Sequence, residues 1–498
     1  MRLGSTVGSR VLRACGASSA YVVIELVART WFGVPTVPDL LSDRFIQVLP
    51  GPLFSSLLEH LGSLAKPALF VGLLVSQLSL TTAAALLAWR WGRPGVAATA
   101  TAIVALALLW FAGDRQFQVA LFVATQLLGT VAFVVVFAAL EAGSRSTRAF
   151  TSRPPPNLER RQVILLLALM SSTLLLARRV VVEFSRANPS GSPAAEALGS
   201  DGPPVVGLPD RITSSADFYV VSKNLGDPDV DIGTWRLRVD GSVDQPLELS
   251  YGDILAMEAT EFIRTLECIS NDLGGNLISN GRWRGVRLAS VLERAGFRGN
   301  AQLAKFTSVD GYEESITVSQ AEDPATFLTY ELGGRPLPRE HGFPLRVLGA
   351  ETYGMKNPKW LNRIELVQGA SPGFWEQQGW KPDAAIQTYS RIDAPDTYPI
   401  HPGTRDVLGI AFAGARGIYR VEVSLDGGAT WDLAELFPTI GPQSWSFWRR
   451  AVTFAPGSYT LQVRATDGTG AVQTSRQHGP FPDGVTGYQT VRVTVRGT

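Results

Sequence analysis

Residues 69–89 (LFVGLLVSQLSLTTAAALLAW) carry no charge and match the roughly 20 residues a helix needs to cross about 30 Å of hydrocarbon. Such a run has to be buried, in lipid or in a protein core. Two more, 96–111 and 117–140, follow, and the charges around them are confined to Arg90, Arg93, Asp114, Arg115 and Glu141. Weaker candidates are 15–32, which Glu25 interrupts, and the short run 163–177. The pattern predicts a membrane domain over residues 1–182 with about five transmembrane helices. The charged fraction of 18%, against roughly 25% in globular chains, agrees with it.

Basic residues of short loops stay on the cytoplasmic side. Arg2, Arg10 and Arg13, then Arg90 and Arg93, then Arg145, Arg148, Arg153, Arg160 and Arg161 fall on one side if each apolar run is a crossing. This predicts a multi-pass protein of the cell membrane with a cytoplasmic N-terminus and an extracytoplasmic C-terminal half, although Arg178 and Arg179 run against it. Arg160-Arg161 before an apolar run reads equally as a twin-arginine export signal or as ordinary anchoring. Glu25 is costly in lipid, and pairing with Arg29 is the simplest account of it.

Residues 183–209 form a linker, rich in Pro, Gly, Ser and Ala from 188 onward. Over 210–372 short strand-like runs mix with a helix-like segment around 291–296, which predicts a mixed α+β domain. Over 373–498 the runs become short and alternating, as in YRVEVSL at 419–425 and YTLQVRA at 459–465 around an Asp-Gly-Gly turn. That pattern predicts an immunoglobulin-like β-sandwich. A formal net charge of +1 gives no electrostatic case for a nucleic-acid partner. Two cysteines, Cys15 and Cys268, in segments of unlike character argue against a disulfide framework and a Cys-based zinc site.

Cys268 ends an apolar run in Leu266-Glu267-Cys268-Ile269-Ser270-Asn271. Taken alone it reads as a buried structural cysteine, a catalytic thiolate or a soft-metal ligand. Downstream come Asn280-Gly281-Arg282-Trp283-Arg284-Gly285-Val286, then Asp310-Gly311-Tyr312, then His341-Gly342-Phe343-Pro344-Leu345-Arg346. This ordered set, over about residues 210–498, resembles the sulfite oxidase family of molybdopterin enzymes.

The resemblance implies that Cys268 binds molybdenum, whose soft character suits a thiolate. It implies that His341 and Arg346 bind the pterin and its phosphate, that Asn271, Trp283, Tyr353 and Lys356 line the cofactor, with Lys356 preferred over Lys359, and that Tyr312 stands beside the metal. The family's early Arg-Asn pair falls on Lys223 and Asn224, so Lys223 is the candidate substrate cation and Asn224 a cofactor contact. Two further family arginines have no counterpart, because Asp272-Leu273-Gly274-Gly275 follows Asn271 and Pro480-Phe481-Pro482-Asp483-Gly484 fills the C-terminal position. The implied cofactor is molybdenum-molybdopterin. Haem is not expected, since of His60, His341, His401 and His478 none lies in an apolar run. The implied activity is oxygen-atom transfer at a membrane-anchored, extracytoplasmic enzyme, first sulfite oxidation to sulfate, alternatively reduction of a sulfoxide. The expected partners are a small oxyanion or sulfoxide substrate, a separate electron carrier or quinone, the membrane, and a second copy through the sandwich. A non-catalytic binding module is the alternative of another class.

Overall fold

In the computed structural model, residues 205–497 are described almost throughout, without 225 and 396–398. Before them the described residues are mainly 4–42 and 65–91, with short pieces within 125–136 and 168–179. The chain divides into two compact units, and residues 223–226 group with the N-terminal one.

In the N-terminal unit, helices α1 (Gly4–Phe32) and α2 (Ala65–Trp91) pack through Tyr21, Val22, Leu26, Phe70 and Leu74. Glu25 is buried among them, accepting from Gln77 Nε2 at 2.5 Å and from Gln126 Nε2 at 2.7 Å, while Arg29 pairs with Asp39 at 3.1 Å. Among the described residues no helix is long and apolar enough to cross a membrane. The expected N-terminal transmembrane helices and the multi-pass membrane localisation are therefore corrected. Charge-free sequence runs do not reveal polar side chains that meet across helices, and here Glu25, Gln77 and Gln126 do so inside a protein core. Arg160, Arg161, His60 and most of the runs 96–111, 117–140 and 163–177 lie outside the described residues.

The second unit is mostly β-sheet, with fewer and shorter helices than a mixed α+β reading implies. Strands β1 (Leu237–Gly241) and β2 (Leu247–Leu249), helix α3 (Tyr251–Leu255), strands β3 (Ala259–Glu267) and β4 (Ile278–Arg287), and helix α4 (Leu288–Arg294) come first. Strands β5 (Leu303–Ser308) and β6 (Glu313–Thr317), helix α5 (Val318–Glu322), and strands β7 (Phe327–Leu332), β8 (Arg335–Pro336), β9 (Arg346–Leu348) and β10 (Leu361–Val367) follow. Both α3 and α5 start at a capping box, with Ser250 and Asp253 at one and Thr317 and Gln320 at the other.

These strands make two five-stranded sheets. One has the order β2-β1-β10-β5-β6, with β1 parallel to β10; the other is β3-β4-β7-β8, with β9 on β7. Alternation drives the pairing: in β5 (LAKFTS) residues Ala304, Phe306 and Ser308 point inward, and Phe306 joins Leu237, Ile364, Leu288 and Leu345 in the main core.

A sandwich closes the unit. Strands β11 (Tyr389–Ala394), β12 (Gly403–Phe412), β13 (Ile418–Ser424), β14 (Asp432–Leu433), β15 (Glu435–Leu436), β16 (Ser446–Phe454), β17 (Gly457–Asp467) and β18 (Thr490–Val495) form two four-stranded sheets, β11-β12-β16-β15 and β14-β13-β17-β18. Trp448, Val421, Leu461 and Val493 fill its centre. A further core joins the sandwich to the sheets before it: Ile269, Ile278, Tyr353 and Met355 pack with Tyr389, Phe412, Trp445 and Phe447.

Candidate cofactor site

Cys268 follows the last residue of β3, and strand pairing fixes where it lies. Register runs from Ala259 opposite Val286 to Glu267 opposite Ile278, so Cys268 leaves the sheet as the chain turns away. Its N–H still donates to Leu277 O at 2.9 Å, and its carbonyl accepts from Asn271 N at 2.9 Å. The buried thiol lies 3.0 Å from Ser270 Oγ. Burial pushes the thiol pKa up, against the hydrogen bond to Ser270. A bound cation would reverse that balance and hold the sulfur deprotonated.

The turn after Cys268 is closed by its own side chains and by the sandwich. Asn271 spends its amide here: Nδ2 donates to Glu267 Oε1 at 3.0 Å and Oδ1 accepts from Leu277 N at 3.0 Å. Arg391 of β11 donates to Gly275 O and pairs with Asp393 at 2.8 Å. Tyr389 Oη donates to Asp272 O at 3.4 Å. The sandwich thus holds the cysteine turn from outside, and Asn271 holds it from within.

Arg346 opens β9 and is buried. Nη1 donates to His341 O at 3.4 Å, its guanidinium carbon stands 5.8 Å from the Trp283 ring centroid, and Nε has no hydrogen-bond partner. Burial pulls the pKa down to about 10, so the group stays charged at neutral pH. His341 precedes Gly342, whose φ of 109° suits glycine and where a Cβ would stand 2.8 Å from Lys359 Cβ. His341 Nε2 is 2.8 Å from Ser215 O; a carbonyl only accepts, so Nε2 carries the proton and Nδ1 remains an acceptor. Burial and the neighbouring Arg346 charge pull its pKa down to about 3, so the ring is neutral.

Trp283 is fully buried in β4. Its Nε1 donates to Arg264 O at 3.2 Å, and Phe218 meets its ring edge-on at 5.4 Å. Arg264 donates through its terminal nitrogens to the carbonyls of Leu348 at 3.3 Å and Ala325 at 2.6 Å, while its Nε has no hydrogen-bond partner.

The turn Gly354–Lys356 passes close to Cys268. A Cβ at Gly354 would stand 2.8 Å from Tyr219 Oη and 3.9 Å from Cys268 Cα, so glycine is what lets the turn approach. Tyr353 is buried and its Oη accepts from Gln387 N at 3.1 Å. Lys356 Nζ donates to Glu314 Oε1 at 2.8 Å, to Ser315 O at 2.9 Å and to Glu376 Oε1, which uses all three ammonium donors inside the protein. Tyr312 Oη donates to Met355 O at 2.7 Å and lies 3.3 Å from Glu314 Oε2. Burial and then the Glu314 carboxylate push the Tyr312 hydroxyl far up, so it keeps its proton.

Of the residues named from sequence, the fold gathers Cys268, Trp283, His341 and Arg346, with Asn271 and Tyr353 buttressing. Lys356 and Tyr312 form a second, self-contained cluster. Lys223 and Asn224 belong to the N-terminal unit, where Lys223 Nζ donates to Asn224 Oδ1 at 2.8 Å.

Two participants escaped the motifs. Tyr219 has a buried, unpartnered hydroxyl, and Glu267 has one unpartnered oxygen, Oε2, with burial pushing its pKa up to about 8. Only the adjacent Cys268 drew attention to Glu267, and nothing in the order of motifs marked Tyr219.

The chemistry of this donor set suits an anionic ligand with a soft metal. It offers one buried thiol, a buried arginine with a spare N–H, a spare tyrosine hydroxyl and a glycine-lined approach. Among the described residues no group of three His, Cys, Asp or Glu could hold a metal by itself, so further ligands would have to come with the metal.

Comparison with known proteins agrees. Residues 224–375 match the oxidoreductase molybdopterin binding domain, and 392–479 match the Mo-co oxidoreductase dimerisation domain. The chain is 30% identical to sulfite oxidase of Gallus gallus over 54% of its own length and 70% of that protein. It is 30% identical to sulfite oxidase of Arabidopsis thaliana over 46% of its length and 71% of that one. Against mitochondrial sulfite oxidase of Homo sapiens the identity is 31%, and the chain spans about half of that relative (52%). Among solved structures, the sulfane dehydrogenase SoxCD of Paracoccus pantotrophus shares the fold, with a TM-score of 0.52 and 22% identity over 61% of this chain and 94% of that one.

Proposed function

The chain belongs to the sulfite oxidase family of molybdopterin oxidoreductases, and from that premise we propose that it oxidises sulfite to sulfate by oxygen-atom transfer at a molybdenum centre. The observation that carries the reading is the buried Cys268 thiol, approached through Gly354, in the same unit as Arg346 Nε and Tyr219 Oη, two buried atoms without hydrogen-bond partners. Native folds leave few buried donors unpaired, and beside a candidate site a ligand or an ordered water is what completes them.

In this reading Cys268 ligates the metal and Ser270 Oγ, 3.0 Å from its sulfur, steadies the thiolate. Arg346 presents its spare N–H to a phosphate or pterin oxygen, with Trp283 beneath holding the guanidinium plane. His341, neutral and fixed by Ser215, faces the same ligand as an acceptor through Nδ1. Tyr353 and Asn271 keep the two turns in place, and Tyr312 fixes the Gly354–Lys356 turn through the Met355 carbonyl. The molybdenum cofactor, when bound, supplies the two-electron redox chemistry and the oxygen-transfer centre. Residues 210–372 are the cofactor domain and 373–498 the dimerisation domain. Electrons leave to a separate carrier.

A second reading, reduction of a neutral sulfoxide, is supported by the charge inventory. The buried Lys356 and Arg391 are already bonded within the protein, and the Glu267 carboxyl sits beside Cys268. A dianion gains little from cations that are already spent.

The deciding experiment measures molybdenum per chain in the wild type and in Cys268→Ser, then sulfite-dependent dye reduction against sulfoxide-dependent oxidation of a reduced dye. Metal near one per chain with sulfite turnover supports the proposal. Metal with sulfoxide turnover alone moves the second reading to first place, and no metal from a cofactor-competent host overturns both.

A further inference from the structure

Arg264 is a buried cation that none of the motifs marks. It lies in β3 opposite Gly281 of β4 and shares that strand face with Leu266, which packs in one core cluster with Trp283 and Leu348. Its guanidinium reaches two segments at once: Nη1 donates to Leu348 O at 3.3 Å and to Gly349 O at 3.5 Å, and Nη2 donates to Ala325 O at 2.6 Å. The guanidinium carbon stands 5.0 Å from the Phe262 centroid and 5.9 Å from that of Phe327, two rings that stack on each other at 4.2 Å. Burial pulls the pKa down to about 10 while the Asp323 carboxylate raises it, so the charge persists at neutral pH. A buried charge bonded to carbonyls is costly to keep. What it holds explains why it is there. Its own carbonyl accepts from Trp283 Nε1 at 3.2 Å, and the Trp283 ring is the one that faces the Arg346 guanidinium at 5.8 Å. Its side chain holds Leu348 and Gly349, the second and third residues after Arg346. Gly349 N donates in turn to Asn357 Oδ1 at 2.6 Å, and Asn357 Nδ2 to Tyr353 O at 3.3 Å, which ties the same clamp to the turn at Gly354–Lys356.

We propose that Arg264 is a positioning residue for Arg346: its fork fixes the end of β9 and its carbonyl fixes the Trp283 ring, and between them they aim the spare Arg346 Nε at the pterin and its phosphate. The inference rests on the molybdenum reading above. In this role Arg264 makes no contact with substrate or metal and transfers no proton; it acts through Arg346. A planar fork bridges two backbone segments at a fixed spacing, which a lysine ammonium, a point donor on a flexible stem, does not reproduce.

The test is a double-mutant cycle on the full chain from a host that makes the cofactor, with wild type, Arg264→Lys, Arg346→Gln and the double variant. Pterin and molybdenum per folded chain are measured after gel filtration, so that a change in stability alone does not enter. Arg264→Lys is expected to weaken cofactor retention on the order of tenfold, the size found when a residue that orients a ligand-holding group is replaced. In the Arg346→Gln background the same change should cost no more than about twofold further, because residues that act as one unit are not additive. Wild-type retention in Arg264→Lys overturns the inference, and so does a loss repeated in full when Arg346 is already Gln, since that marks a residue serving the fold alone. Arg264→Met keeps an unbranched stem against Phe262 and removes the buried charge, and it takes the place of the lysine variant in the cycle if that one does not fold, with the same two outcomes. Failure of both to fold also overturns the inference. Wild-type protein without pterin or molybdenum overturns the molybdenum reading and this inference with it, whereas loaded wild type beside additive variants removes this inference alone.

Discussion

The Cys268 pocket and the Lys356 cluster lie in the same compact unit, are equally buried and are built from the same kinds of group, yet they are finished differently. Around Lys356 everything closes: three ammonium donors meet Glu314, Ser315 and Glu376, and Tyr312 adds its own bond to Met355 O. Around Cys268 the polar groups stop short, and Tyr219 Oη, Arg346 Nε and Glu267 Oε2 end without partners. A saturated cluster is what a fold builds for its own sake. An unsaturated one leaves bonds for a ligand or a water to complete, and the family-derived residues can be sorted by that difference as well as by motif.

The largest effect that would break the contrast is at Lys356. Replacing it by Met leaves two buried carboxylates facing each other without their cation, and removing one partner of a buried ion pair costs about 3–5 kcal/mol. Denaturant unfolding of Lys356→Met should show a loss of that order, with partial recovery in a second variant carrying Glu314→Gln as well. A loss below about 1 kcal/mol would mean that the lysine is held in reserve for a ligand and that the saturated cluster is misread.

The same cluster sets a pH dependence. Burial pushes the Glu314 carboxyl up to about 7 even beside the Lys356 ammonium, since one cation does not offset two buried carboxylates. A carboxyl whose pKa is raised in the folded chain holds its proton where the unfolded chain has released it. Its contribution is therefore fully present below the unfolded value near 4.5 and is lost as pH rises to about 7, after which it is flat. Unfolding midpoints measured from pH 5 to 8 should fall across that window in the wild type, and Glu314→Gln should remove much of the slope. An unchanged slope would place the titration elsewhere.

Arg346 sharpens the contrast from the other side. Arg346→Gln removes a cation whose spare donor has no partner within the protein, so the deficit should appear in the ligand more than in the fold. Charge-assisted bonds contribute about 1.5–3 kcal/mol each, which amounts to roughly 10- to 150-fold weaker cofactor retention. Pterin and molybdenum remaining after gel filtration would report it. Retention equal to wild type, with a stability loss matching that of Lys356→Met, would make Arg346 a structural cation like the lysine.

What was legible from sequence divides along the same line. Cys268, His341 and Arg346 stand out in the sequence because each sits in a short stretch whose chemistry is local, a soft thiol at a strand end and a turn leading into an arginine, and the fold buries all three. The sandwich was legible from alternation in segments such as 419–425. The state of Lys356 was not, because its partners lie 42 and 20 residues away and meet it only when β6 and the turn at 376 come together. Tyr219 was invisible for the converse reason, since what marks it is a missing partner, and a sequence does not show absences. The N-terminal runs misled because hydropathy adds residues along a helix and is blind to Glu25, Gln77 and Gln126 meeting between helices.

The smallest effect is also the most discriminating, because it tests which cluster Tyr312 belongs to. Tyr312→Phe removes a hydroxyl bonded to a carbonyl, a loss of about 0.5–1.5 kcal/mol in stability that denaturant unfolding would register. It should leave the visible absorption of metal-loaded protein in place and reduce turnover only a few-fold, through a looser Gly354–Lys356 turn. Such a pattern fits a hydroxyl that faces inward to the protein. If instead Tyr312→Phe abolished turnover with stability intact, the Met355 carbonyl would be a resting partner that the hydroxyl leaves on reaching substrate, and the line between finished and unfinished clusters would have to be redrawn to include Tyr312.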